Sequence, residues 1–454
     1  MSQPPDLAHA KECRAHSVSL TAIDPEFDGQ WQGIAAASDG ACYFGSSTHS
    51  YRRGAAFFRY DPLAKQLMTL AEDMTTVCGE DLTQTPPQGK IHSPIVEADG
   101  WVYFTTHLAN YWEEARSAYP GAHVVGYELA TGRFRDFGVV RPRFSIYSAI
   151  NVDPVRQRLY VFSVPFAAED VENDACHLYE IDIASGAKRD LGKVNQRGQS
   201  ASFWFFVDQQ GDCWFTLWSK RGHYPEGGHG NLYRLAGDTG QIERLDDVLP
   251  DCRLAPGGAP VLEEWRAYRG WTWAAALPGA ARCAFTMGNG AGEDERLWLF
   301  DPRRSMVDGE AFHAAGYLGP TFLPVALGSN RVFYIQRGDL ASARGWSAEA
   351  ERDKDPDVVG WPEDLHLKSI SLDPTHQGVT IDHGKIVDQD GRLPRHIDSL
   401  AADPEGRVYM VGSWHLLPGE PGTRQMVWDR PTREFQVMKR AQRFACADLS
   451  ADLR

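Results

Sequence analysis

No stretch of the 454 residues approaches the roughly 18–20 consecutive apolar residues of a membrane-spanning helix, which excludes a helical membrane span. The opening segment MSQPPDLAHAKECRAHSV has no basic stretch followed by an apolar run, so no signal peptide is expected. Positive charge is scarce: 46 Lys and Arg face 61 Asp and Glu, a net charge of −15, and neither a nucleic acid nor an anionic membrane is the expected partner. The 8 cysteines include no CxxC pair and form no dense framework, which excludes a zinc ribbon and a disulfide scaffold. Together these absences predict a cytoplasmic protein with reduced thiols. Helical periodicity is also missing over any long segment; the charged stretch 341–360 is the best candidate for a short helix or a loop insertion.

What the chain has in quantity is apolar and turn-forming residues. Hydrophobic residues make up 43% and aromatics 11%, and 14 Trp and 43 Gly suit short strands and tight turns better than helices. One pattern recurs seven times: a small or apolar strand, a turn of the Asp-Gly type, an aromatic-rich strand, a variable loop, then two strands joined by a turn. The first copy is QGIAAASDGACYFGSS followed by AAFFRYDPLAKQLMTL; the second is HSPIVEADGWVYFTTH followed by HVVGYELATGRFRDFG; the last is IDSLAADPEGRVYMVGSW followed by RQMVWDRPTREFQVM. A four-stranded sheet cannot bury both faces alone, and stacking repeats around a ring solves that problem. The prediction is a single all-β domain over 1–454, a seven-bladed β-propeller with four antiparallel strands per blade. Its blades start near 32, 92, 147, 202, 271, 321 and 397. The segment SVSLTAI either adds an outer strand to the last blade or covers it. Cys42, Cys213 and Cys283 fall at one repeat position that other copies fill with Val102, Leu159, Val332 and Val408, so they read as small core hydrophobes.

In such a ring the first strand of each blade lines the channel, and the repeat places Gln32, His92, Tyr147, Ser202, Thr321 and Ile397 there, with the fifth copy ambiguous near Trp271. In the second copy His92 and His107 are equally distant from the turn at Asp99-Gly100, so a regular hairpin sets them face to face. Two imidazoles beside Tyr147 form a set able to transfer protons near neutral pH, or else are ordinary half-buried polar residues. Lys220, Arg221, Arg337 and His415 sit at the ends of second strands, and Arg143 precedes the third copy; these suit an acidic ligand, or are solvated loop charges. Trp204 and Trp271 are aromatic faces fit for a sugar ring, or core residues; Tyr111, Trp112, Trp218 and Trp414 belong to the same rim. His223 and His229, six apart in a glycine-rich loop, are a weak metal signal, and His49 ends its own second strand.

The stretch KIHSPIVEADGWVYFTTH, followed one copy on by Tyr147, resembles the active-site blades of the seven-bladed propeller polysaccharide lyases, a group that includes ulvan lyases and the rhamnose–glucuronic acid lyases acting on gum arabic. The resemblance implies β-elimination at a uronic-acid glycosidic bond of an acidic carbohydrate, with His92, His107 and Tyr147 as the catalytic set. It implies no cofactor for the chemistry, and allows a structural zinc or calcium whose ligands the sequence does not place. The chain departs from the family where the carboxylate-binding Arg is due: residues 162–166 read FSVPF, leaving Lys220, Arg221 or Arg143 for that role. The alternatives are a non-catalytic propeller that binds a glycan or protein at its rim, and a metal-dependent propeller enzyme, against which the channel ring holds a single His.

Overall fold

The computed structural model describes residues 11–146, 149–164, 176–195, 199–219, 231–246, 248–250, 270–287, 295–319, 324–337, 365–426 and 434–453. Five copies of the repeat form separate four-stranded antiparallel sheets in simple chain order. They span Ile34–Ala36 to Gln66–Ala71, Val96–Ala98 to Phe134–Val139, Ile150–Asp153 to Lys188–Lys193, Gln199–Val207 to Ile242–Leu245, and Trp271–Ala276 to Phe312–Gly319. The turns do what their residues predict. Between Ala98 and Trp101, Asp99 and Gly100 both take positive φ (50° and 76°), the conformation of a tight two-residue hairpin.

The last two copies do not stay separate. They merge into one eight-stranded sheet, and this differs from the expectation of seven independent units. One half runs Val325–Leu327, Arg331–Arg337, Leu365–Ser371, Thr380–Asp388; the other runs Pro394–Ala402, Arg407–Trp414, Ala441–Asp448 and, last, the N-terminal strand Glu12–Ser19. That strand pairs antiparallel with Ala441–Asp448 and parallel with Thr380–Asp388, so it completes one half and bonds it to the other. Gly384 permits the fusion: at φ +104°, a Cβ there would lie 2.0 Å from the carbonyl oxygen of Lys11. The sheet also folds back, so that its two end strands, Val325–Leu327 and Pro394–Ala402, touch. A second correction concerns the last copy. Arg424–Met426 and Phe435–Val437, expected as its outer strands, form a separate two-stranded hairpin, and Ala441–Asp448 takes the third place.

Packing is cyclic. First strands of neighbouring units touch in sequence from the second sheet onward, and Pro394–Ala402 finally meets Ile34–Ala36 of the first sheet. Hydrophobic clusters fill the spaces between neighbours. Phe57, Phe104 and Val125 join the first and second sheets, and Phe44, Tyr409 and Phe444 join the first to the last half-sheet. Cys42, Cys213 and Cys283 are fully buried in such clusters, as the repeat requires. Every described cysteine is buried with a free thiol. Two short helices, Met74–Val77 and Glu113–Ala118, lie in connections. No helix among the described residues is long and apolar enough to cross a membrane.

Candidate functional site

The hairpin Val96–Thr105 is regular near its turn, with Val96 opposite Tyr103, and then breaks. Pro94 has no N–H to donate, and the amide of Thr105 instead donates to the Ser93 hydroxyl at 2.9 Å. Pairing resumes at a bridge between Lys90 and His107. The first strand has therefore gained two residues relative to the second, and Lys90, rather than His92, stands opposite His107. The same slip recurs in three other sheets. The bridges Gly29–Ser47 and Ser145–Val164 and the pair Ala201–Leu217 are each out of step by two residues with the ladder nearer the turn. Counted from these pairs, Trp31 and Phe203 hold the place equivalent to His92, correcting the expected Gln32 and Ser202. Both rings meet His92: Trp31 stacks on it at 5.2 Å between centroids, and Phe203 lies at 6.4 Å. Gln32 takes φ +61° and donates its amide to Ser399 Oγ, and Ile397 is a core residue.

His92 and His107 are brought together, with ring centroids 5.8 Å apart. His107 is buried, and burial first, then the charges of Lys90, His92 and His49, hold its pKa well below the ordinary imidazole value. A neutral imidazole has one N–H. Its Nε2 lies 2.6 Å from Tyr111 Oη and its Nδ1 contacts Ser145 Oγ. Lys90 Nζ donates to Tyr111 Oη at 2.9 Å and lies 4.1 Å from the centre of that ring. A consistent assignment is that the Lys90 ammonium donates to the Tyr111 oxygen, the phenol donates to Nε2, and Nδ1–H donates to Ser145. Tyr111 is half-buried, at the open end of this series. Beside it, His49 Nδ1 lies 2.9 Å from the buried carboxylate of Asp28, and its ring stands edge-on to Trp31 at 5.7 Å. Tyr111 is held from behind. Leu108, Trp112, Ala115 and Tyr119 pack against Met426 and Phe435 of the separate hairpin.

Tyr147, Lys220, Arg221, Thr321, His223 and His229 lie outside the described residues, as does segment 341–360. Arg337 closes the strand Arg331–Arg337. Arg143 sits on an exposed turn at φ +63°, closed by its amide to Pro120 O. Trp204 wedges between two core clusters, and Trp271 is fully buried against Phe285 and Phe300, a packing position rather than a sugar platform. His415 is half-buried, its amide bonded to Leu393 O. Sequence reasoning missed Lys90, Trp31, Asp28 and Ser145, and gave Tyr111 no role in proton transfer. Only Lys90 left a usable signal, standing two residues before His92 and so on the same side of an extended strand.

No family pattern matches the sequence, and no curated protein matches it. Among solved structures the chain is similar to an oligogalacturonate lyase from Vibrio parahaemolyticus, at 10% identity over 92% of this chain and 90% of that one, with a TM-score of 0.48. It is similar also to a GH74 enzyme from Niastella koreensis, at 11% identity over 88% of this chain and 52% of that one, with a TM-score of 0.48, spanning about half of that enzyme. A protein from Lactobacillus plantarum is similar at 12% identity over 89% of this chain and 98% of that one, with a TM-score of 0.44. These likenesses concern the arrangement of small sheets and carry no argument about chemistry.

Proposed function

We propose that the chain is a seven-bladed propeller lyase that cleaves a uronic-acid glycosidic bond by β-elimination, with Lys90, His92, His107 and Tyr111 at the centre of its site. The two halves of the eight-stranded sheet count as two blades in this reading, a count supported by the cyclic order of the interfaces. The observation that carries the chemistry is the hydrogen-bonded series from Lys90 through Tyr111 and His107 to Ser145, with His92 beside it.

Elimination removes the proton on C5, next to the uronate carboxylate, and breaks the bond from C4 to the leaving oxygen. An ionised carboxylate makes the C5 proton hard to remove, so a cation must offset the charge that develops. Lys90 supplies one at the site; Arg143, Lys220, Arg221 and Arg337 are proposed to bind the acidic substrate further out, with His415 as a secondary candidate. His92 takes the C5 proton. The Tyr111 phenol protonates the leaving oxygen as the C4–O bond breaks, and its phenolate is held by Lys90 until the proton on His92 returns to it through water. His107, neutral and tied to Ser145, orients the phenol. Tyr147 is proposed as an alternative acid from one blade on. No cofactor is needed for these steps.

Ultraviolet absorbance of the unsaturated uronate product tests this, on a panel of uronic-acid oligosaccharides and polymers. Wild type is expected to give a signal, with kcat falling roughly 10²–10⁴-fold in His92→Ala and in Tyr111→Phe while circular dichroism stays unchanged. A flat trace from folded wild-type protein over the panel overturns the proposal, and retained glycan binding in that case identifies a binding propeller.

A further inference from the structure

On the outer strands of the second sheet and the connection that precedes it lies another set of reactive side chains. Cys78 Sγ, a ring nitrogen of His123 and a carboxylate oxygen of Asp136 all lie within 4.8 Å of one another, the one such trio among the described residues. Cys78 and His123 are buried, at 7% and 4% exposure, whereas the Asp136 side chain is 25% exposed and leaves a way in. Three separate pieces of chain meet here. Cys78 ends the short helix Met74–Val77, and Gly79, at φ +69°, turns the chain so that Glu80 faces the same imidazole. His123 opens the third strand of the second sheet, and Asp136 stands on the fourth, held by the Gly138 amide at 2.7 Å.

The imidazole is engaged on both sides. Nδ1 lies 2.9 Å from Asp136 Oδ1, and Nε2 lies 2.9 Å from Glu80 Oε1. Two carboxylates around one ring suit a trapped imidazolium; Cys78, at the edge of the core cluster with Ala71 and Met74, adds a sulfur donor at the same point. A nitrogen, a sulfur and an oxygen donor converging on one point is the set of a borderline-soft divalent ion. We propose that Cys78, His123 and Asp136 bind a zinc ion through Sγ, Nδ1 and a carboxylate oxygen, with Glu80 accepting the proton of Nε2–H and water completing the tetrahedron.

Zinc bonds of about 2.3 Å to sulfur and about 2.0–2.2 Å to nitrogen and oxygen set ligand atoms roughly 3.3–3.8 Å apart, so Asp136 and His123 part by a few tenths of an ångström on binding. A thiolate and a carboxylate neutralise the ion, and Glu80 fixes the ring tautomer as an outer partner of a metal-bound histidine does. The ion fastens the connection 72–80 to the second sheet. His123 also exchanges bonds with Thr106, the residue before His107: its amide donates to Thr106 Oγ1 at 2.9 Å, and its carbonyl accepts the Thr106 amide at 3.0 Å. The metal thereby braces the segment that carries His107, without depending on what reaction occurs in the channel.

Elemental analysis of the whole protein, purified without added chelator, is expected to find one zinc per chain. Stripped protein given cobalt(II) is expected to show thiolate-to-cobalt charge-transfer absorption, absent in Cys78→Ser, and zinc should protect Cys78 from alkylation. Glu80→Gln is expected to keep the site and weaken zinc affinity ~10–100-fold. If Cys78→Ser does not fold, the cobalt band and alkylation protection in wild type decide the matter. Folded wild-type protein that retains no stoichiometric zinc, gives no cobalt–thiolate band and melts at the same temperature with zinc or chelator overturns the proposal in favour of a trapped imidazolium.

Discussion

His107 is kept neutral by its surroundings, and that has a consequence for stability as well as chemistry. Burial is the first cause of its depressed pKa, followed by the charges of Lys90, His92 and His49. The unfolded chain takes up a proton on this residue as pH falls through the ordinary imidazole value of 6.5, while the folded protein does not until lower pH. The unfolded state then binds more protons, so stability is full above pH 6.5 and declines as pH falls below it. His383, also depressed chiefly by burial, adds to the same trend. Thermal melts between pH 7.5 and 5 should show a steeper loss in wild type than in His107→Gln; parallel slopes would mean that His107 is not held neutral. That His92 and His107 share one site was legible in the sequence, although the slip puts Lys90, not His92, opposite His107. Lys90, Tyr111 and Ser145 were not, because what joins them to His107 is a set of side-chain bonds between a slipped strand, a loop and the next blade.

At the scale of the element, the two-residue slip in the first strands is the feature that shapes the site. It withdraws residues 91–95 from the ladder and turns His92 toward Trp31 and Phe203 instead of across the hairpin. In the second sheet the slip is stabilised by one substitute bond, from the Thr105 amide to the Ser93 hydroxyl, in a fully buried place. Ser93→Ala leaves that amide without its acceptor and should cost about 1–3 kcal/mol, read as a lower urea midpoint with unchanged slope. A change under 0.5 kcal/mol would mean that the bulge is held by packing alone. Strand positions and turns followed from alternation and from Asp-Gly, but the slip did not: an extended strand and a bulged one have the same composition, and Pro94 was its only mark.

For the whole molecule, closure depends on a strand from the far end of the chain. Glu12–Ser19 binds the two halves of the eight-stranded sheet, and Gly384 makes room for it. Gly384→Ala sets a methyl against the Lys11 carbonyl and asks an L-residue to hold φ +104°, which should destabilise by about 1–3 kcal/mol. Hydrogen exchange should accelerate first at residues 12–15, where the strand pairs with Thr380–Asp388; an effect spread evenly over all sheets would locate the strain elsewhere. Local patterns in the chain leave open whether this segment pairs or merely covers the last unit, since nothing in SVSLTAI names its partner.

The repeat, its turns and the burial of Cys42, Cys213 and Cys283 follow from the sequence by itself, because each rests on alternation or on a turn a few residues away. Only the tertiary structure decided the rest: the fusion of two units through Glu12–Ser19, the third-strand place of Ala441–Asp448, the Lys90–Tyr111–His107–Ser145 series, and the meeting of Cys78, His123 and Asp136. Each of these joins residues distant in the chain, and a partner chosen by packing across a closed ring leaves no periodic trace in the strand that finds it.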